Sequence, residues 1–469
     1  MATSTTEQLH SILQKSGIPF AVPDSDEFTS LQTSYTGQHD ESRPQIITRP
    51  QTAEQVASII KACLSLNLEP VVRGRGHDVF GRFSAPGAVS IDLRDLTTVT
   101  VSSDKKTAKV GGGATNHGVL EALSEHGLTA PTGSCGTVGF AGWCLGGGFG
   151  PYSHSYGLGA DQIVGARVVN AKGELVEADA RLLKGLRGGG GSLAIVVETH
   201  VKTWPLCEVQ AGMLFYESSD IAAVVTTFFT NYNSLFTTYK DIPSKFYLMP
   251  SIWIYPGIGL TLTCGFIWNG SASDESRLWL ERVGKLAPLA PNITDVQAAV
   301  MNTNALGFSA MVQNMIPAQV LGRCQSADIT HFSPEAVAEL AKVADAIPRE
   351  CSGGINIHSL RADSPSCSED VPDSVLPYRK PHIMLELLGV GNDEASARSA
   401  AAWALDARSR LRALEHAEDR TYLALTAPEF VDLEVIFGKE LVELRKLKQE
   451  YDPEGVFKHT VPKLVWVTK

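Results

Sequence analysis

Long apolar runs are missing from this chain. No stretch approaches the roughly 18 consecutive apolar residues that a membrane-spanning helix needs. No block of lysine or arginine stands out either, which removes the electrostatic footprint of a nucleic-acid binder. The balance runs the other way, with 51 acidic against 40 basic residues and a formal charge of −11. The eight cysteines (63, 135, 144, 207, 264, 324, 351 and 367) include no C-x-x-C, and no His/Cys group has zinc spacing. No metal site is expected, and a reducing compartment is. Repeats and low-complexity tracts are also lacking. The start, Ser4-Thr5-Thr6-Glu7 followed by Leu9, Ile12 and Leu13, reads as a capping box opening an amphipathic helix rather than as a secretory signal. The expectation is a cytoplasmic protein, monomeric or weakly self-associating, with neither nucleic acid nor membrane as partner.

At 469 residues, 43% hydrophobic and 19% charged, the chain has a globular composition and is too long for one ordinary core, so two domains are expected. Residues 45–73 read as strand–helix–strand: Gln45-Ile46-Ile47-Thr48 is extended, Thr52-x-x-Gln55 opens a helix with a stripe of Val56, Ile59, Ile60 and Cys63, and Glu69-Pro70-Val71-Val72 re-enters a sheet. The turn Arg73-Gly74-Arg75-Gly76-His77-Asp78 therefore stands at a strand end, where α/β units place ligands. Its glycines allow close backbone approach and an anion-binding concavity. It is not the dinucleotide fingerprint, because Val79 stands where the third glycine belongs.

Short strands follow near 89–93, 99–101 and 108–110, then Gly111-Gly112-Gly113 and a helix over 116–126 stopped by Gly127. A second small-residue turn, Thr132-Gly133-Ser134-Cys135-Gly136-Thr137-Val138-Gly139, precedes the run Gly146-Gly147-Gly148. A hairpin is expected over 163–178, and a β-branched strand follows Gly188–Gly191. From residue 209 the texture changes. Long strands at 245–255, 260–268, 355–360 and 382–390 alternate with helices near 273–286, from Ser333-Pro334 onward, and over 394–418. That pattern predicts an antiparallel sheet covered by helices on one face. The segment 364–373, with two prolines and three acids, reads as an exposed loop.

The His77 and Cys135 turns together resemble the flavin-attachment sites of the berberine-bridge-enzyme-like branch of the vanillyl-alcohol-oxidase superfamily. In that family the histidine of an R-x-G-G-H-like turn bonds the 8α carbon of FAD, and the cysteine of a C-x-T-V-G turn bonds C6. Phe437-Gly438 and Asp452-Pro453-x-x-x-Phe457 resemble its C-terminal return. The resemblance covers roughly 40–205 and 420–465. It implies an α+β, two-domain PCMH-type fold, with a FAD-binding domain at 1–205, a substrate domain at 206–418 and a return to the FAD domain at 419–469. FAD tethered by His77 and Cys135 is implied as cofactor, with Arg73, Gly74, Arg75, Gly76, Asp78, Gly136, Thr137, Gly139, Phe140, Gly142, Trp143, Gly147, Tyr156, Asp161 and Val196 around it. Asp161 also reads as architecture. Cys144 is the competing thiol, in a Trp143-Cys144-Leu145 context that suggests packing.

Tyr156 matches a tyrosine that faces the flavin in the family; the other reading is a core tyrosine. Three departures stand out. Trp143 replaces a histidine typical of plant members. Phe140 takes a position where a small residue leaves room for oxygen. Of a C-terminal Y-x-N-Y pattern only Tyr422 survives, the second tyrosine being Leu425. A base must therefore be sought among Glu386, Tyr156 and Tyr422. His382, Met384 and Glu386 share one strand face by the period of two, and burial would raise a carboxyl there towards a useful base. The alternative leaves Glu386 in solvent. The expected activity is hydride transfer from a small secondary-metabolite substrate to flavin, possible oxidative cyclisation included, with oxygen or another acceptor. A redox-neutral cyclase or isomerase on the same fold is the alternative.

Overall fold

A computed structural model describes residues 4–37, 40–239, 241–317, 319–377 and 379–464. Its first half is built on two small sheets. In the four-stranded one, Phe20–Ala21, Ile46–Thr48, Val89–Asp92 and Pro70–Arg73 lie in that order, the last three mutually parallel. Helix Ala53–Leu66 makes the crossover, starting where Thr52 accepts the Gln55 N–H (3.2 Å) and ending at Asn67 in the left-handed conformation. Its Val56, Ile59, Ile60 and Cys63 are fully buried, as the period predicts. The five-stranded antiparallel sheet runs Val99–Val101, Thr107–Gly111, Ile195–Lys202, Ile163–Val169, Leu175–Glu177.

The second half is one eight-stranded antiparallel sheet. Its order is Val300–Thr303, Val209–Phe215, Gly259–Trp268, Phe246–Tyr255, Gly354–Leu360, His382–Gly391, Leu321–Ile329 and Ala417–Glu418. Helices Ile221–Thr238, Asp274–Gly284, Pro334–Asp345 and Glu394–Arg412 cover one face. Phe246, Leu248, Ile355, Ile357, Leu385 and Leu387 point into that helical layer and form the largest core with Phe228, Phe229 and Trp403. Alternate residues on the same strands turn the other way, towards the first half: Met384 and Leu360 join its core, which Val110, Val196, Leu444 and Leu447 also share.

The last residues lock into the first half. Lys448, 1% exposed, donates to Ser192 O (2.7 Å) and to Asp452 Oδ2 (2.5 Å), and Asp452 accepts the N–H groups of Val456 and Phe457. Every polar end of this buried pair is satisfied, which is what makes burying it tolerable. The loop expected over 364–373 is tucked in at its start: Ser364 donates to Ser153 O (2.7 Å), and Ser366 donates to Asp161. No helix among the described residues is long and apolar enough to cross a membrane, and none of their His, Cys, Asp and Glu side chains group as a metal site.

Candidate active site

The two glycine-rich turns meet. Strand Pro70–Arg73 delivers the first at its C-terminal end. The second is held by helix Asn116–Ser124, whose first N–H groups would otherwise be orphans. Asn116 N–H donates to Val138 O and His117 N–H to Gly136 O (both 2.9 Å), and Asn116 Nδ2 reaches Cys135 O (3.2 Å). Gly139 lies against Arg75, where a Cβ would come within 3.0 Å of Arg75 Cγ. His77 and Cys135 thus sit on adjoining loops. Cys135 is partly exposed, its sulfur 3.3 Å from Thr137 Oγ1, whereas Cys144 is buried and burial pushes its thiol up to about 12. Between the competing thiols, Cys135 is the accessible one.

His77 stacks on Tyr35, with ring centroids 4.6 Å apart and 18° between planes. Burial, with the charges of Arg75 and Arg73 adding, lowers its pKa to about 4, so the imidazole is neutral and nucleophilic at physiological pH. Arg73 works from behind: its guanidinium donates to the carbonyls of Leu31 (2.5 Å), Gln32 (3.2 Å) and Thr33 (2.7 Å) and lies over Phe83. Asp78 is bound by Arg82, which also donates to Leu423 O (3.1 Å), Ala424 O (3.0 Å) and Thr426 O (3.3 Å).

Two glycines face open space. A Cβ at Gly142 would meet no atom within 4 Å, and at Gly74 only Gly112 O at 3.9 Å, although neither has positive φ. Nothing in the protein demands glycine there; a ligand lying against the backbone would. The surroundings of Gly142 repeat the point, since Gly139 and Gly146 are also partly exposed along the short helix Phe140–Leu145. These residues suit a flat, extended cofactor such as FAD.

Across from the turns stands the inward face of strand His382–Gly391. Glu386 keeps 17% of its side chain exposed. Asn356 Nδ2 donates to its Oε2 (3.0 Å), His358 Nε2 lies 3.5 Å from the same oxygen, Trp253 Nε1 holds Asn356 Oδ1 (2.7 Å), and the Tyr247 hydroxyl is 3.5 Å from His358 Nδ1. Both partners converge on Oε2, leaving Oε1 to the cleft. Burial pushes the carboxyl up, but the hydrogen bond and charge of His358, with Asn356, outweigh it and hold Glu386 below the usual carboxylate range. This corrects the expectation of a raised pKa. Glu386 is a carboxylate kept ionised on a half-dry wall.

A family model described as FAD binding domain matches residues 44–179. The FAD-linked oxidoreductase aurO of Gibberella zeae is 31% identical over 465 residues, covering 96% of this chain and 88% of that one. The chain belongs to the berberine bridge enzyme-like FAD-linked oxidoreductases. It is also similar to Berberine bridge enzyme-like D-2 of Nicotiana tabacum (37% identity, 35% of this chain and 31% of that one). Among solved structures, Physcomitrella patens BBE-like 1 superposes with a TM-score of 0.83 at 20% identity, covering 98% of this chain and all of that one. The glucooligosaccharide oxidase of Acremonium strictum does so at 0.79 and 18%, with the same coverage. The fold is therefore the PCMH-type fold, and the protein is an FAD-dependent oxidoreductase.

Within this berberine bridge enzyme-like chain, several expected site residues stand elsewhere. Tyr156 is half-buried: its ring stacks on Trp204 (4.6 Å), its hydroxyl meets Cys207 (3.9 Å), and burial raises its pKa, which favours the packing reading over the base. Phe140 has no exposed surface and packs beside Trp143 in the core, so it borders no open space through which oxygen could pass. Trp143 donates its indole N–H to Phe149 O (2.8 Å) and fills the space over Gly159. Asp161 is engaged by Arg379 (2.8 Å), Ser366 and the Leu158 N–H, tying the two halves together. Val196 is buried, its carbonyl crowding Gly112. Gly147 (φ +131°) and Gly136 make room for Tyr422 and for Gln313 and His117 respectively.

Tyr422 is brought to the site. Its hydroxyl accepts the Gly148 N–H (3.4 Å), and its pKa is pushed up to about 12, chiefly by burial, with Cys144 and Glu386 adding to the shift. The phenol is therefore protonated at physiological pH. Sequence reasoning missed Tyr35, Arg82, Asn356 and His358. The last two were signalled by their alternation with Ile355 and Ile357 on strand Gly354–Leu360. Tyr378 lies outside the described residues.

Proposed function

We propose that the chain carries FAD bonded to His77 through the 8α carbon and to Cys135 through C6, and oxidises a small secondary metabolite with Glu386 as the base. The observation that supports this reading best is the junction of the two turns at Arg75 and Gly139, with Glu386 opposite and its Oε1 free. The glucooligosaccharide oxidase of similar fold is described as holding a 6-S-cysteinyl, 8α-N1-histidyl FAD.

Bound there, FAD supplies a hydride acceptor. The residues around it do the rest. Gly74 and Gly142 let the cofactor lie against the backbone, and the Arg73–Asp78 turn offers N–H groups to its phosphates. Glu386 Oε1 takes a proton from a substrate O–H or N–H, while His358 and Asn356 keep Oε2 occupied, so that one oxygen alone is presented. Trp253 and Tyr247 back those partners and give the wall an aromatic character that suits an aromatic or terpenoid-like metabolite. Tyr422, protonated, donates a hydrogen bond or a proton from the flavin side.

Oxygen is the proposed acceptor, in keeping with similar proteins named as oxidases, such as the (R)-6-hydroxynicotine oxidase of Paenarthrobacter nicotinovorans. Acid precipitation followed by peptide mass analysis tests the attachment: one FAD joining the His77 and Cys135 peptides is expected, and flavin released to the supernatant would overturn it. Peroxide formed in step with substrate loss tests the oxidase reading. Turnover without peroxide or added acceptor would favour a redox-neutral cyclisation instead.

A further inference from the structure

We propose that Tyr35 is the positioning residue for flavin attachment at His77, a role that rests on reading His77 as an attachment point. Three ties build the 31–37 segment onto the turn that carries the histidine. Arg73 folds beneath its own turn to hold the carbonyls of Leu31, Gln32 and Thr33. Gly76, at φ +72°, makes that possible, because a Cβ there would stand 2.6 Å from Arg73 Nη2. Next, the Tyr35 N–H donates to Gly76 O (3.3 Å). Last, the phenol ring covers the imidazole. The far side of the segment is fixed as well: Tyr35 O accepts the Val320 N–H (2.9 Å), and Gln319 Nε2 donates to Ser34 O (3.2 Å).

So much anchoring gives the stack a purpose. Neither ring nitrogen of His77 has a hydrogen-bond partner among the described residues, so the usual means of fixing an imidazole, a carbonyl or carboxylate on one nitrogen, is not used. The Tyr35 ring takes over that task. It restricts rotation about the side chain and covers one face, while the edge with both nitrogens stays available. Near-attack orientation of a neutral nucleophile is what covalent bond formation requires.

Attachment forms a bond from a His77 nitrogen to the 8α carbon and breaks one 8α C–H and one imidazole N–H. The two electrons and two protons reduce the bound flavin, and dioxygen takes them up and leaves as hydrogen peroxide.

The test uses the full chain purified as wild type, Tyr35→Phe and Tyr35→Leu, with His77-linked and Cys135-linked flavin counted separately by peptide mass analysis. Tyr35→Phe, which keeps the ring, is expected to match wild type. Tyr35→Leu should lower the His77-linked share roughly tenfold, as misorientation of a reacting group does, while the Cys135 link persists. Equal His77 linkage in the leucine variant overturns the proposal. So does a fall of both linkages together, which a purely structural role would give. Wild-type protein with no flavin on His77 overturns this proposal and the attachment reading at once, whereas wild-type linkage unaffected in Tyr35→Leu removes only Tyr35. Should the leucine variant fold poorly, Tyr35→Met, flexible enough to fill the same space, is read by the same outcomes.

Discussion

The two walls of the active site are made in opposite ways. The proposed flavin wall is backbone: glycines 74 and 142 withhold side chains, and the turns offer N–H and C=O groups. The sheet wall is side chains on a regular backbone, with Ser326, Glu386, Asn356, Ser251 and Thr263 lying in one cross-strand row of paired residues. A backbone wall fits one ligand shape and resists change, because any side chain added at Gly74 or Gly142 would stand in the space left for the ligand. A row of alternating side chains can be exchanged singly without disturbing the ladder. One wall is suited to a single fixed ligand shape, the other to change by single substitutions.

The sharpest way to break this contrast is Glu386→Gln. If the sheet wall carries the base, kcat should fall by about 10² to 10⁴, the usual contribution of a general base, with flavin content unchanged; an intact rate in steady-state kinetics would remove Glu386 from chemistry. Gly142→Leu addresses the other wall. Its Cβ meets no protein atom and the added branch points into the open space, so the fold should hold while flavin affinity drops roughly tenfold to a hundredfold. Gly113→Leu is the contrast, because its Cβ would lie 1.9 Å from Leu93 O and should prevent folding. Flavin absorbance and circular dichroism read both variants.

His358→Ala sharpens the account of Glu386. Without the partner that holds it ionised, burial dominates and the carboxyl protonates at higher pH. The acid limb of the kcat/KM profile should move upward, so activity is lost sooner as pH falls. The smallest effect is expected at Asp328, on the same sheet, where burial raises the carboxyl to about 8 and Oδ1 has no partner. In the folded state it stays protonated up to that pH, whereas unfolded it ionises near its ordinary value. Between the two, the unfolded chain binds fewer protons and stability falls as pH rises. Asp328→Asn should therefore raise Tm by roughly 2 °C at pH 8, a gain that vanishes towards pH 4 in thermal scans.

What could be read from sequence follows the same division. The His77 and Cys135 turns announced themselves because backbone function leaves a mark in residue type: glycine spacing, a strand before, a helix after. Elements with strong periodicity or caps, such as Ala53–Leu66 and Pro334–Asp345, were also legible. Helix Ile221–Thr238 was not, since its mixture of Val, Thr and Phe favours strands and only packing against Pro334–Asp345 and the sheet makes it helical. The helix expected over 394–418 stops at Arg412, where the chain turns into the edge strand Ala417–Glu418. Tyr35 and Arg82 were invisible for another reason. Their partners lie on segments far away in the chain, and no local pattern encodes a stack or a clamp. Phe140 and Tyr156 were placed by motif alone; Phe140 is fully buried, and Tyr156 packs half-buried on Trp204.

Arg82 sits four residues from Asp78 and grips carbonyls more than 340 residues further along the chain. Lys448 and Asp452 close on Ser192 in the same manner. A ribosome delivers this chain from its first residue, so the attachment turn emerges long before the segments that brace it. The first two hundred residues carry both turns, whereas the carbonyls that Arg82 grips and the Lys448–Asp452 pair come from the last fifty. A chain shortened near its end would keep both turns with their local braces, but it would lose the far grip of Arg82 and the Lys448–Asp452 lock on Ser192.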